Sequence, residues 1–498
     1  MYTMFSLVIS FISGLILTPA FPRADVYPLA WIALVPLFHL SVRKSWGMVA
    51  LCGFVFGLGF FGSLLSWIGI FGALPWVLLT IIQSLFMAAF ALSARLIAGR
   101  LGAWGRLIVL PALWVAFEWI RSQGLLGFTW GDVGYSQAHA LPVIQMASIT
   151  GVWGVSFLVA ILNAALVNAI ASWAKSRSLR GSYAQLGVTA AVLALVIGYG
   201  LVAMSAPMSG KSFRAAVIQG NIDQDTEEDY DYFNRCMDTY SRMTLEAASK
   251  GMGLIVWPET AMPGSPGSDR YLEGWLSALS QRSNATLIVG ARDEDRQGRS
   301  YNSAYLIGQG KGILSHYAKV RLVPFGEFVP ARKYLPLLDN YRVTPMDVTP
   351  GREFNLLDGG PCRVGVAICF ESTFPYISRT LTASGAELLC VITNDAWFGR
   401  TAAAEQHAEM SVLRAVENRR YLLRGAATGV SCIIDPKGRV LAGIPIFHRD
   451  AISAPVKCIR GKTFYTRHGD WFPYAMLAVV GVASIVALRR RLRCEVKT

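Results

Sequence analysis

The sequence is poor in charge. Of its 498 residues only 16% are Asp, Glu, Lys or Arg, while 53% are hydrophobic. Soluble domains carry roughly 25% charged residues, so a wholly soluble chain is excluded. No two cysteines form a CxxC pair, and His316, His407 and His468 show no metal spacing, so neither zinc nor another metal or cofactor is expected. Cys369 and Cys390 sit on core-strand patterns, and the eight cysteines are not expected to form a disulfide framework. The first apolar run, from Met4, lacks a basic lead-in and is followed by more such runs. It therefore reads as a retained helix and not a cleaved signal. Few ionisable residues lie inside the apolar runs, which argues against a transport path.

What the chain does have is long apolar runs, before about residue 207 and again after about 471. A span needs about 20 apolar residues. Candidates lie near 4–20, 28–42, 47–70, 74–97, 107–120, 151–173 and 187–206, with an eighth at 471–488. The net charge of +14 would suggest nucleic acid in a soluble protein, but its location points to membrane topology. Arg43 and Lys44, then Arg95, Arg100 and Arg106, then Lys175, Arg177 and Arg180, and finally Arg489, Arg490, Arg491 and Arg493 fall in alternate connections. By the positive-inside rule these connections and both termini are cytoplasmic, and the large polar region after span seven lies on the other side. In one outward connection, Glu118 and Arg121 stand three apart at a helix end and are expected to pair. That connection reads either as an interfacial anchor or as a lipid-headgroup gate.

From Ser212 the pattern changes to short β-rich runs and polar helices, an α/β or α+β layered domain. Strands are expected at Arg214–Ile222, Gly253–Trp257, Thr286–Ala291, Arg363–Cys369 and Glu387–Asn394. Hairpins are expected at Tyr301–Tyr317 and Gly429–Ala442, and helices at 226–250, 270–283 and 403–422. Three polar residues follow strands. Glu259 ends GLIVWPE, Lys319 follows a hairpin, and Cys369 ends RVGVAIC. Together they make a coherent acyl-transfer set. A thiol near neutral pH is mostly protonated and needs a base, which Glu supplies, and Lys holds a developing oxyanion. Asn394 and Asp395 fit a turn, and Trp397 and Phe398 fit either core or pocket wall. Arg414, Glu417 and Arg420 read as a structural ion-pair row. Phe325–Val348 interleaves Phe328, Tyr334, Leu335, Leu337, Leu338 and Tyr341 with Arg332, Lys333 and Arg342. It reads as a mobile arm near the bilayer or as a loop packed on its domain.

The ordered motifs WPE, YAKVRLVPFGEFVP, ICFE and TNDAWFG resemble the nitrilase (carbon–nitrogen hydrolase) superfamily. With the spans and the WGDVGYSQ segment, essentially the whole chain resembles the bacterial apolipoprotein N-acyltransferases. The resemblance implies an eight-helix membrane bundle carrying a nitrilase-like αββα sandwich. The expected domains are 1–208 with seven spans, 209–466 as the catalytic domain outside the cytoplasm, and 467–498 as the eighth span and basic tail. It implies Glu259 as base, Lys319 as oxyanion holder and Cys369 as nucleophile. Glu327, Glu371, Phe370, Asn302, Asn394 and Trp397 are the supporting site. Phe370 stands where many relatives carry Tyr, which removes a hydroxyl. Glu327 either orients Lys319 or only stabilises the fold, and Asn302 either serves the site or satisfies a strand edge.

The activity implied is ping-pong transfer of an acyl chain through a Cys369 thioester. The donor is a membrane phospholipid, with phosphatidylethanolamine favoured. The acceptor is the α-amino group of the N-terminal diacylglyceryl-cysteine of an apolipoprotein. The expected setting is the bacterial inner membrane, with a periplasmic catalytic domain working as a monomer and no nucleic-acid partner. The alternatives are a membrane-tethered amidase that uses water as acceptor, and a transporter or scaffold with a dead catalytic domain.

Overall fold

The computed structural model describes residues 2–222, 230–330, 332–334 and 347–495. The chain forms two compact units, residues 1–205 with 470–498, and residues 206–469.

Among the described residues of the first unit, seven helices are long and apolar enough to cross a membrane. They are Thr3–Ala20, Trp46–Leu64, Ala73–Arg100, Ala103–Arg121, Val152–Ser176, Arg180–Ser205 and Trp471–Leu492. The expected span at 28–42 is a shorter, broken apolar segment, Tyr27–Arg43. Its breaks follow proline. Pro28 lies in the first turn of Tyr27–Leu29, and Pro36 in the first turn of Val35–Arg43, where a missing N–H costs least. Eight crossings are compatible with this arrangement. Small residues set the closest helix approach: a Cβ on Gly14 would overlap the Phe56 carbonyl. The expected Glu118–Arg121 pairing takes another form. Arg121 pairs with Asp132 and donates to Gln83 and the Trp130 carbonyl. Glu118 accepts from Trp114 and from the Val133 N–H.

The second unit is a sandwich of two sheets. The first has the order β11-β1-β2-β3-β4-β5, built from β1 (Lys211–Gln219), β2 (Leu254–Val256), β3 (Thr286–Glu294), β4 (Ser300–Gly308), β5 (Gly312–Ala318) and β11 (Asp450–Cys458). The second has the order β10-β9-β8-β7-β6, built from β6 (Val364–Ile368), β7 (Leu388–Thr393), β8 (Leu422–Ala426), β9 (Ser431–Ile434) and β10 (Val440–Ile444). Strands β1–β3 run parallel, as do β6–β8.

Strand alternation makes the layers. Ala215, Val217, Leu254 and Val256 face inward and meet Val366, Ile368, Cys390 and Ile392 of the other sheet. Their neighbours Ala216, Ile218, Ile255 and Trp257 face outward onto helices α1 (Tyr230–Ala248) and α2 (Arg270–Ser283). Each buried Val, Leu or Ile among them contributes about 1.5–3 kcal/mol. Helices α3 (Pro375–Ala383) and α4 (Ala403–Asn418) pack on the second sheet. An αββα sandwich results.

Three expectations are corrected here. The helix expected through 422 ends at Asn418, where Arg419 turns left-handed, and LLRGA becomes strand β8. Strand β11 was not expected; its Pro455 is tolerated because β11 lies at a sheet edge. Cys362 and Cys458 form a disulfide. It ties the lead-in to β6 to the end of β11, a proximity created by the fold and not by cysteine spacing.

Candidate active site

The site residues stand where strands end. Glu259 lies three residues beyond β2 in a tight Trp257–Pro258–Glu259 passage, and a side chain on Gly290 would overlap the Pro258 carbonyl. Lys319 follows β5 directly. Its N–H donates to the Asn302 carbonyl at 2.8 Å, and its carbonyl accepts from Gly351 at 2.7 Å. Cys369 follows β6 and holds a left-handed φ of 52°, a conformation unfavourable for a residue with a Cβ. The strands before Glu259 and Cys369 are parallel ones, whose ends are a common place for binding sites in α/β sheets.

Glu259 and Lys319 are buried and meet. Lys319 Nζ lies 3.5 Å from Glu259 Oε1 and 2.8 Å from Glu327 Oε1. Asn302 Nδ2 donates to Glu259 at 2.6 Å and to Glu327 at 3.2 Å. The second oxygen of Glu259 accepts the Asn394 backbone N–H at 2.6 Å, while Glu327 Oε2 accepts from Val323 N–H at 2.8 Å. Asn302 thus satisfies both acids and not merely a strand edge.

Burial raises the Glu259 pKa above its ordinary value; Lys319 opposes the shift and Glu327 adds to it. Burial works against the Lys319 charge, but Glu327, Glu259 and Cys369 outweigh it and raise its pKa. The Cys369 thiol is pushed up by burial and by Glu259, with Lys319 opposing. A buried cation is therefore charge-coupled to a neutral thiol and to a buried carboxyl whose pKa is raised.

Glu371 is fully buried and accepts four hydrogen bonds. Tyr317 Oη donates at 2.8 Å, Val320 N–H at 2.7 Å and Arg321 N–H at 3.0 Å, all to Oε1. The Ile368 N–H donates to Oε2 at 2.8 Å. Burial raises its pKa against the bonds from Arg321 and Ile368. Phe370 is buried, with its ring edge-on to Phe374. Trp397 is 45% exposed, on the turn after β7, so it is not core.

The segment expected as an arm is closed at its base. Arg332 binds Asp347 through two hydrogen bonds of 2.6 and 2.9 Å, and the Val348 N–H donates to the Glu327 carbonyl. Tyr334 is exposed. Leu335, Leu337, Leu338, Tyr341 and Arg342 lie outside the described residues. The ion-pair row is buried: Arg414 pairs with Glu417 at 2.8 Å. Arg420, beyond the helix end, donates to the Ala386 and Gly461 carbonyls.

One cluster escaped the sequence reading. Asp395, which fits a turn by its residue type, is 2.9 Å from Arg424 and 3.0 Å from His407. Burial alone would raise the Asp395 pKa, but Arg424 and His407 outweigh it and hold it down at about 2. Burial and Arg424 lower the His407 pKa against the pull of Asp395. His407, given no role from its spacing, reaches the backbone of Cys369. No sequence signal joins these three residues, which come from a turn, a helix and a strand.

Comparison with known proteins follows the same division. Residues 13–165 match the model of the apolipoprotein N-acyltransferase N-terminal domain, and residues 214–458 match that of carbon–nitrogen hydrolases. The apolipoprotein N-acyltransferase of Geobacter metallireducens is 36% identical over 493 residues, covering 96% of this chain and 95% of the relative. That of Methylococcus capsulatus is 34% identical, covering 98% and 96%. The crystal structure of an amidase from Nesterenkonia sp. is 18% identical and covers 53% of this chain and 96% of that one, with a TM-score of 0.40. With identity above 30% along nearly the full length of both chains, this protein belongs to the apolipoprotein N-acyltransferase family.

Proposed function

We propose that the chain transfers an acyl chain from a membrane phospholipid to the α-amino group of an N-terminal diacylglyceryl-cysteine on a lipoprotein, through a thioester on Cys369. The observation that carries this reading is the meeting of Glu259 and Lys319 in a buried, charge-coupled site with Cys369 at the end of β6. In the first step Cys369 Sγ attacks the ester carbonyl while Glu259 takes the thiol proton. Lys319 holds the tetrahedral oxyanion. The intermediate collapses, the ester C–O bond breaks, and Glu259 gives its proton to the departing lysophospholipid oxygen. In the second step the acceptor amine attacks the thioester and loses a proton to Glu259. The C–S bond breaks, and the thiolate regains that proton. A carboxyl with a raised pKa suits this shuttle, because it releases its proton as readily as it takes it.

Phosphatidylethanolamine is the proposed donor, by family resemblance. The catalytic unit is placed on the periplasmic side of the inner membrane, with both termini cytoplasmic and the chain working as a monomer. Two observations support that placement. The basic residues fall in alternate connections, and the Cys362–Cys458 disulfide belongs to an oxidising compartment. The arm around Tyr334 is proposed to admit acyl chains.

The test is to incubate the purified chain with radiolabelled phosphatidylethanolamine and a diacylated lipopeptide. Label in an amide on the lipopeptide supports the reading, and label released only as free fatty acid contradicts it.

A further inference from the structure

The nucleophile's backbone is held from outside its own strand. Cys369 adopts a left-handed conformation, which persists only where its surroundings enforce it. Its carbonyl accepts from Ser372 Oγ at 2.8 Å and is 3.2 Å from His407 Nε2. A carbonyl only accepts, so Nε2 must carry the proton. The Ser372 hydroxyl has spent its one proton on the same carbonyl, so it too accepts from Nε2, at 2.8 Å. On the far side of the ring Nδ1 then carries no proton and accepts from Arg424 Nη2 at 3.0 Å, with Asp395 Oδ1 also 3.0 Å away. Asp395 is itself fixed by Arg424 at 2.9 Å and Thr393 at 2.8 Å. The imidazole is therefore clamped in one orientation with its Nε2–H aimed at the nucleophile's peptide. The mechanism above gives this fully buried cluster no part.

We propose that His407 is a positioning residue for acyl transfer: its Nε2–H on the Cys369 carbonyl holds the left-handed turn that sets Sγ against Glu259 and Lys319. The inference rests on Cys369 being the acylated residue. The peptide after Cys369 is planar, so fixing its carbonyl fixes the whole unit, and with it the direction in which the thiol leaves the chain. Arg424 acts one step further out, by donating to the ring, and Asp395 acts through Arg424, which it fixes.

The experiment compares His407→Leu, which keeps bulk and removes the donor, with His407→Gln, which keeps an N–H near the Nε2 position. Three quantities are read on the full-length chain: single-turnover acylation of Cys369 by phosphatidylethanolamine, the rate of Cys369 alkylation by iodoacetamide, and Tm. Misplacing a reacting atom by an ångström costs about 10²-fold, so His407→Leu should slow acylation by about that factor with the KM for phospholipid unchanged. His407→Gln should recover most of the loss. A wild-type acylation rate in His407→Leu, or no recovery in His407→Gln, overturns the proposal. Should His407→Leu fail to fold, His407→Asn, whose amide is too short to reach that carbonyl, takes its place. Slowed acylation at unchanged Tm then supports the proposal, and a wild-type rate overturns it. A wild-type chain that alkylates at Cys369 but never acylates there would sink the acyl-transfer reading itself. The variants' alkylation rates would still decide the role of His407.

Discussion

The Glu371 carboxylate accepts the Val320 N–H at 2.7 Å through one oxygen. The other oxygen takes the Ile368 N–H at 2.8 Å. Val320 follows Lys319, and Ile368 precedes Cys369, so one buried acid joins the backbone beside the cation to the backbone beside the thiol.

Glu371→Ala removes the shared acceptor of Tyr317, Val320, Arg321 and Ile368. A buried donor left unpaired costs about 1–3 kcal/mol. The total loss should reach at least about 3 kcal/mol, read as a fall in Tm by near-ultraviolet circular dichroism. An unchanged Tm would show that the acid is dispensable to the fold.

Glu327 is the carboxylate nearest Lys319, at 2.8 Å. Glu327→Gln should lower kcat by about 10–10² with little change in KM, since an oxyanion holder that is poorly anchored loses part of its effect. If Glu327 serves the fold alone, the variant lowers Tm and leaves the rate per folded molecule unchanged.

The pH profile follows from Glu259. In the proposed mechanism its carboxylate takes the thiol proton, so the rate should rise as pH rises through its pKa. Burial raises that pKa, so the acid limb of thioester formation should lie above the ordinary glutamate range. Lys319, with its raised pKa, stays charged throughout and adds no acid limb. The Asn302 hydrogen bond favours the charged Glu259. Asn302→Ala should therefore move the limb to still higher pH. A limb at or below the ordinary glutamate value, or an Asn302→Ala shift downward, contradicts the assignment.

The disulfide joins residues 96 apart in sequence and bridges the two sheets. Replacing Cys362 and Cys458 together by Ser should lower stability by about 2–4 kcal/mol, seen as a lower Tm. Molecules still folded should keep the wild-type rate of Cys369 acylation, because neither sulfur enters the site.

The strand ends that carry Glu259, Lys319 and Cys369 are legible in the sequence because each follows a short apolar run that breaks at a polar residue. The motifs around them add the order in which they occur. What escapes is contact made across the fold. Asn394 reads as a turn residue, yet its backbone N–H binds Glu259, and a backbone donor leaves no trace in residue type. Asp395, His407 and Arg424 meet only because β7, α4 and β8 are neighbours in the second sheet and its covering layer. Strand β8 hides because just three residues separate LLRGA from a helix whose end is marked only by the left-handed Arg419. Strand β11 hides because a proline interrupts its pattern.

The central claim is a thioester on Cys369, and intact-protein mass spectrometry reads it directly. Full-length protein is incubated with phosphatidylethanolamine, with Cys369→Ser alongside. The account predicts an acyl adduct on the wild type that hydroxylamine removes and that a diacylated lipopeptide discharges far faster than water. Discharge by water at the same rate would make the chain a hydrolase, and no adduct on folded protein with any phospholipid would contradict the account outright.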